Sequence, residues 1–467
     1  MEKVISKTRP PIVCVLGHVD HGKTTLLDKI RNTGIAQKEV GGITQSIGAS
    51  VFLSKEGKEI TFIDTPGHAA FSSMRARGTK IADIAVLVVA ADDGIYPQTK
   101  EALKYILDSN ISFIVAITKI DLPSADIEAV KTQLGKEGIL LEGSGGNVPY
   151  VCVSGKTGEK VEELIEVIFL VAEMMNILGD PEKPLEAYVF ETGKDRRGSF
   201  ASVVVKNGSL SVGDEIMTES TKSKVRGVFD YKGFPLKKVM PGYPCQIIGF
   251  TEVPSIGSPV WRVGEKESGL VIERKRPVVE KIAEDEIPIV IKANNAGSLE
   301  AVIANLPEKV VVIDSGVGDL TESDVFMAKS ANAQIYIFES KASSSVKKLA
   351  DMEGVNILYF DIIYKLFENL EEQLEKDKKK ILGKAEIIQI FPFNNRKVAG
   401  CKVIEGEIKK TNPLFLYKGE NLIGKIKVIS LKKEKHDIES AKQGEEFGII
   451  FVPQLEFAIG DMIISLQ

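Results

Sequence analysis

From residue 11 to about 175 the chain alternates near-continuous apolar runs with segments of helical periodicity. The runs IVCVL (12–16), ITFID (60–64), IAVLVVA (84–90), ISFIVAI (111–117) and VPYVCVS (148–154) lack polar alternation. That is the pattern of strands buried on both faces of a parallel sheet, and the intervening segments supply its crossover helices. EKVEELIEVIFLVAEMM (159–175) carries apolar residues at helical spacing and closes the unit. Two prolines in LGDPEKPLEA (178–187) then stop the helix. Short β-type runs punctuated by glycine follow to residue 263 and predict a small antiparallel barrel. A charged stretch, 265–286, reads as a connector.

From IPIVIKANNAGSLEAVIANL (287–306) the strand–turn–helix alternation returns, with a helix start at Thr321-Glu322-Ser323-Asp324, and predicts a compact α/β domain. In DIIYKLFENLEEQLEKDKKK (361–380), Ile363, Leu366, Phe367, Leu370 and Leu374 share one helical face. The charged C-terminal half has nothing apolar to bury and reads as a solvent-crossing rod. Short strands and glycine turns from residue 383 predict a second barrel.

Composition narrows the class. Of 467 residues, 43% are hydrophobic and 27% charged, as in globular domains, and no apolar run is long enough to span a bilayer. The start, MEKVISKTRPPIV, lacks the features of a secretory leader. Cys14, Cys152, Cys245 and Cys401 lie far apart in apolar runs, so reduced buried thiols and a cytoplasmic location are expected. A net charge of -5 argues against coating nucleic acid by charge alone. KDKKK (376–380) and SLKKEKHD (430–437) remain local basic patches or solvated faces.

Chemistry concentrates in four loops. Gly17-His18-Val19-Asp20-His21-Gly22-Lys23-Thr24, followed by Thr25, fits a phosphate loop between a strand and a helix. Its backbone N–H groups and the helix N-terminus suit phosphates, Lys23 the β- and γ-phosphates, and the Thr24 hydroxyl a Mg²⁺ ion. Asp64-Thr65-Pro66-Gly67 ends a second strand, with a carboxylate for the metal through water and an N–H near the γ-phosphate. Thr118-Lys119-Ile120-Asp121 ends a third. The Asp121 carboxylate can accept the ring N–H and exocyclic amine of guanine, a donor pair that adenine lacks, and Lys119 can lie along the base. Ser154-Gly155-Lys156 ends a fourth and can reach the guanine oxygen. Together they predict GTP and GDP as ligands, with Mg²⁺.

These residues resemble the translational GTPase family, and within it the bacterial initiation factor two family. GHVDHGKTTLLD, VGGITQSIGA (40–49), DTPGHAAF (64–71) and RARGTKIADIAVLVVAADDGIYPQT (75–99) carry the resemblance. It continues at IVIKANNAGSLEAV (289–302), GDLTESDV (318–325), GKAEI (383–387) and VAGCKV (398–403), and so covers residues 9–467. It implies a multidomain α/β and β fold: a P-loop GTPase domain (9–178), a β-barrel (183–263), an α/β domain (283–360), a connecting helix (361–381) and a C-terminal β-barrel (383–467). An extra N-terminal region that bacterial members often carry is expected to be lacking here.

The resemblance further implies a ribosome-stimulated GTPase. It would place formylmethionyl initiator tRNA on the 30S subunit and promote joining of the 50S subunit. Its other partners would be further initiation factors, with no membrane, and it would act as a monomer. Thr44 would ligate Mg²⁺ when GTP is bound, and His68 would position the attacking water. Phe391, Cys401, Lys432, Lys433, Glu446 and Gly448 match the surface for the initiator-tRNA end.

Several positions depart from that pattern. Thr118 replaces an asparagine whose amide ties the base motif to the phosphate loop, and Ser46 a histidine. Ile388 stands for an arginine, Glu434 for an aromatic residue and Phe447 for a cysteine, where a phenylalanine is expected to fill part of a small pocket. A GTP-gated RNA-binding adaptor without formyl-dependent selection is the alternative reading. An elongation-type factor would carry two consecutive barrels after the GTPase domain. A GTPase subunit of a metabolic enzyme would need neither the long helix nor the final barrel.

Overall fold

The computed structural model describes residues 7–33, 44–265, 286–377, 381–393, 396–419, 421–434, 436–453 and 455–466. The connector at 266–285, the first residues of the VGGITQSIGA stretch and the lysines 378–380 lie outside them. The chain divides into two compact units, Met1–Glu368 and Asn369–Gln467.

The first unit opens with β1 (Ile12–Gly17), all six residues of which are buried. It leads into α1 (Lys23–Arg31), then β2 (Gly48–Leu53), β3 (Glu59–Asp64), α2 (Ser72–Ile81), β4 (Ile84–Ala90), α3 (Pro97–Asp108), β5 (Ser112–Thr118), α4 (Ile127–Lys136), β6 (Tyr150–Cys152) and α5 (Val161–Met174). The sheet order is β2-β3-β1-β4-β5-β6. All pairings are parallel except that of β2 with β3. The apolar runs therefore form the expected parallel sheet. The antiparallel edge strand β2 was not legible, because GASVFL is mostly half-exposed and carries no continuous apolar signal. Val13, Val15, Phe62, Val86, Leu26, Leu27 and the apolar face of α5 make one core.

Asp83 fixes the start of β1. Its carboxylate accepts both Arg9 guanidinium nitrogens at 2.7 and 2.8 Å and the Ile12 N–H at 2.8 Å. The pair is nearly buried, with Lys206 3.8 Å from the same carboxylate, so losing Asp83 would leave the Arg9 charge without its partner.

A six-stranded antiparallel barrel follows: β7 (Glu186–Asp195), β8 (Gly198–Asn207), β9 (Glu215–Met217), β10 (Lys222–Phe229), β11 (Pro244–Phe250) and β12 (Pro259–Arg262). Its strand order is β9-β12-β7-β8-β11-β10, closed by β9 against β10. The α/β domain comprises β13 (Ile287–Ala293), α6 (Ala296–Ala304), β14 (Val310–Val317), α7 (Glu322–Ser330), β15 (Gln334–Phe338), α8 (Ser344–Glu353) and β16 (Ile357–Phe360). Its four strands run parallel in the order β14-β13-β15-β16. α7 starts with the capping box expected at Thr321 and Asp324.

Barrel and α/β domain join through Glu191. This buried carboxylate accepts the N–H groups of Thr192 at 2.8 Å and of Gly297, in the first turn of α6, at 3.2 Å. Burial pushes its pKa up to about 7. Arg77 of α2 pairs with Glu300 of α6.

The helix α9 (Ile363–Asp377) leads into the second unit. Ile363, Leu366 and Leu370 are fully buried on the face read from the sequence. Beyond it lie β17 (Ile381–Phe393), β18 (Arg396–Lys409), β19 (Leu414–Lys418), β20 (Asn421–Lys433), β21 (Glu446–Val452) and β22 (Met462–Leu466). They close as β17-β22-β19-β20-β21-β18, with β18 returning to β17. No described helix is long and apolar enough to cross a membrane.

Replacing Asp83 with Ala strands Arg9 and leaves the first N–H of β1 without its partner. We expect a loss of about 3–5 kcal/mol of stability by urea unfolding, whereas removal of the exposed Lys55–Glu162 pair should leave the unfolding midpoint unchanged.

Candidate functional site

The parallel strands β1, β3, β5 and β6 deliver their C-terminal ends to one edge of the sheet, and all four motif loops start there. The phosphate loop is shaped by backbone. Gly17 (φ 151°) has no room for a side chain, since a Cβ would run into the Val88 carbonyl. Asp20 (φ 61°) and Gly22 (φ 83°) are left-handed, the conformation from which N–H concavities for anions are built. No side chain caps α1, so its first-turn N–H groups are left for a ligand.

Lys23 is buried, and its ammonium donates to the His18 carbonyl. Burial lowers its pKa to about 8 against the opposing pull of Asp64. The ammonium lies where a Gly67 side chain would be, so any other residue at 67 would displace it. Asp64 is 5% exposed, and its Oδ1 is buried without a hydrogen-bond partner. Burial raises its pKa, with Arg31 and Lys23 opposing.

The Thr24 and Thr44 hydroxyl oxygens stand 2.8 Å apart. Two oxygens at adjacent corners of a magnesium octahedron with bonds of ~2.1 Å are ~3 Å apart. The hydroxyl pair and the unpartnered Asp64 oxygen form a hard-oxygen set whose chemistry fits Mg²⁺.

On the base side, Ser154 is buried and donates to Asp121 Oδ1 at 2.7 Å, which aims the carboxylate. Ser154 itself accepts the Thr157 N–H at 3.0 Å. Gly155 packs against α1, where a Cβ would come within 3.0 Å of the Leu26 nitrogen, while Lys156 is exposed. Lys119 adopts a left-handed backbone (φ 59°), and its ammonium is held by Asp92 and Asp93, at 3.1 Å each. The Thr118 hydroxyl donates to the His21 carbonyl at 2.6 Å and so ties the base motif to the phosphate loop without an amide.

His68 is half-buried. Its Nδ1 accepts the Ala70 N–H at 3.0 Å, so the neutral ring carries its proton on Nε2. Burial, with Arg75 next in weight, lowers its pKa to about 4. Arg75, fully buried, donates to the carbonyls of Pro66 and His68 and pairs with Glu101 at 2.8 Å. It sets the loop's backbone path, a role that the arginine in RARGTK did not advertise. His21 is buried, and its pKa too is pushed by burial down to about 4. Tyr96 stacks on His18 at 4.7 Å, and Gln98 accepts the Val19 N–H at 3.1 Å. These two brace the phosphate loop from the GIYPQT end of the stretch at 75–99.

Three families match along the chain: Elongation factor Tu GTP binding domain at residues 8–174, Elongation factor G domain 2 at 184–263 and Translation-initiation factor 2 at 270–371. Translation initiation factor IF-2 of Caldanaerobacter subterraneus subsp. tengcongensis is 40% identical over 98% of this chain and 69% of its own length. The chain belongs to the translation initiation factor IF-2 family. IF-2 of Thermoanaerobacter sp. is 39% identical over 98% of this chain and 71% of its own length. IF-2 of Persephonella marina is 42% identical, and of that relative the chain spans 56%. Among solved structures, GDP-bound aIF5B from Aeropyrum pernix aligns over 98% of this chain and 92% of its own, with 26% identity and a TM-score of 0.46.

In the second unit the positions expected from the sequence to form the tRNA-end surface separate into two groups. Gly400, Gly448 and Lys432 lie side by side across β18, β21 and β20. The Phe391 ring lies over Gly400, 3.1 Å from where a Cβ would stand, and is 45% exposed. Lys432 and Glu446 are exposed, and Lys433 pairs with Glu445 at 2.8 Å. Cys401 and Phe447, by contrast, pair across the same strands but face the barrel core. Burial raises the Cys401 thiol far above its ordinary value. The expectation that Phe447 fills a surface pocket is thus corrected: in alternating strands a one-residue offset changes the face, and Phe447 fills the interior.

Two outcomes are expected. Thr118→Val should weaken GDP binding about tenfold by fluorescence titration while Thr118→Ser does not, because only the valine leaves the His21 carbonyl unpaired. His21 stays neutral in the fold but takes up a proton near 6.5 when unfolded, so its contribution to stability is full above that pH and lost as pH falls toward 4. Relative to wild type, His21→Gln should therefore gain thermal stability steadily between pH 6.5 and 5.

Proposed function

We propose that the chain is a GTP-dependent translation initiation factor. It binds GTP or GDP with Mg²⁺, places (formyl)methionyl initiator tRNA on the 30S ribosomal subunit, promotes 50S joining and hydrolyses GTP when the ribosome stimulates it. The observation that carries this reading is the Thr24–Thr44 hydroxyl pair beside Asp64 and Lys23, at the same sheet edge as the Asp121 carboxylate. One end is built for a magnesium-bound triphosphate and the other for guanine.

Bound Mg²⁺ would neutralise phosphate charge. Lys23, whose ammonium donates to the His18 carbonyl, would pair its positive charge with the phosphates. Thr44 reports the γ-phosphate, and Gly67 offers an N–H with no side chain in the way. His68, neutral with its proton on Nε2, is a hydrogen-bond donor at the γ-phosphate end and orients water by position. No arginine sits in the phosphate loop, so intrinsic turnover is slow and waits for an activating partner.

For the tRNA end, the support is the glycine floor at Gly400 and Gly448, with Phe391 over it and Lys432 beside it. The half-exposed Phe391 ring offers an apolar surface there, and the lysine suits a phosphate. A second reading, a ribosome-binding factor without formyl-dependent selection, is favoured by exposed Glu434 and by the Cys401 thiol facing the core.

His68→Ala should leave GDP and GTP affinity within about twofold and lower ribosome-stimulated hydrolysis by at least ~100-fold. Unchanged hydrolysis would remove His68 from this role. Binding of formylated and unformylated initiator tRNA separates the two readings. At least tenfold preference for the formylated form supports the first, and equal affinity the second.

A further inference from the structure

Arg75 of α2 is fully buried, and its guanidinium forks. One nitrogen donates to the carbonyls of Pro66, at 3.1 Å, and of His68. Another donates to Glu101 Oε2, on α3, at 2.8 Å. The second Glu101 oxygen accepts the Tyr105 hydroxyl, one turn along α3, at 2.7 Å. The carboxylate is therefore held from both sides. It forms the outer end of this chain of contacts, with its side chain 29% exposed against 0% for that of Arg75.

Both carbonyls belong to the loop that leads from Asp64 to His68. A trans peptide is planar, so its C=O and N–H point in opposite directions. The Pro66 carbonyl is turned toward Arg75, and the N–H of the same peptide, that of Gly67, is thereby turned away from it. Gly67 lies against the phosphate loop, where a Cβ would meet the Lys23 ammonium and come within 3.1 Å of the Val19 nitrogen. The His68 carbonyl, on the same guanidinium nitrogen, fixes the backbone from which the imidazole projects, and the Ala70 N–H on Nδ1 sets the ring. Without Glu101 the guanidinium would be a buried charge lacking its counter-charge. Its relief is a shift toward water, which takes both carbonyls out of place.

We propose that Glu101 is a positioning residue for GTP hydrolysis: through Arg75 it orients the Gly67 N–H and the His68 backbone at the γ-phosphate end of the site. The inference rests on the GTPase reading above and deepens it. Glu101 lies on α3, outside the four motif loops, and acts only through Arg75. The groups it orients serve the γ-phosphate, whereas the base motif and the phosphate-loop backbone are held by other contacts. GDP, which has no γ-phosphate, should therefore be indifferent to Glu101. A pair that merely stapled α2 to α3 would affect both nucleotides alike.

The test uses the full chain with magnesium, ribosomes, GTP, GDP and a non-hydrolysable GTP analogue. Glu101→Ala should lower kcat for ribosome-stimulated hydrolysis at least about tenfold, weaken the analogue about three- to tenfold and leave GDP within about twofold. Glu101→Gln keeps an acceptor at the same reach and should recover kcat to within about threefold of wild type. Arg75→Lys keeps the charge but not the planar fork, and should resemble Glu101→Ala. If that buried change prevents folding, the two Glu101 variants decide by themselves. Unchanged hydrolysis in Glu101→Ala, or equal weakening of GDP and the analogue, overturns the positioning role while wild type still hydrolyses GTP. A wild-type chain that hydrolyses no GTP on the ribosome overturns the GTPase reading, and the inference falls with it.

Discussion

A fully buried strand with a single permitted register, Ile12–Gly17, is the constraint on which the site depends. Parallel pairing to β3 and β4 sets its height in the sheet, and the Asp83 carboxylate clamps its first N–H. Slipping it by one residue would present the wrong set of side chains to both layers of helices. With β1 fixed, Gly17 falls against the Val88 carbonyl, where only glycine fits, and the chain must turn there. The phosphate loop is the consequence of a strand that can neither slide nor continue.

The loop that results holds charge under tension. Lys23 and Asp64 are both buried, each pushed by burial toward its neutral form, and they stand close enough to oppose that push in each other. The histidines nearby are kept neutral by the same burial, so the positive charge is confined to buried side chains, Lys23 and Arg75, rather than spread as a diffuse field. At another loop of the same sheet edge, Ser154 aims the Asp121 carboxylate, and Asp92 and Asp93 tether Lys119.

Around this site the first unit is bound together by polar contacts between distant segments. Glu191 caps α6, Arg77 pairs with Glu300, and Arg75 pairs with Glu101. Each joins a group on one element to an otherwise unsatisfied N–H or charge on another. Such contacts are specific in direction and lost all at once, which suits loops that must occupy two arrangements. The terminal barrel is held differently, by a continuous apolar core and strand closure, and its functional surface is a matter of which face each residue takes.

The sequence by itself determined the order of the elements, the parallel sheet and the phosphate-loop, metal and base motifs. Apolar runs, glycine spacing and short-range chemistry are local properties, readable without coordinates. The edge strand Gly48–Leu53 escaped because half-exposed pairing leaves no apolar signature. Tertiary structure alone decided that the Thr118 hydroxyl reaches the His21 carbonyl, that Cys401 and Phe447 turn inward, and that Arg75, Tyr96 and Gln98 shape the loops. Hydrogen bonds and ring contacts of that kind depend on the final path of the chain, and no spacing along the sequence encodes them.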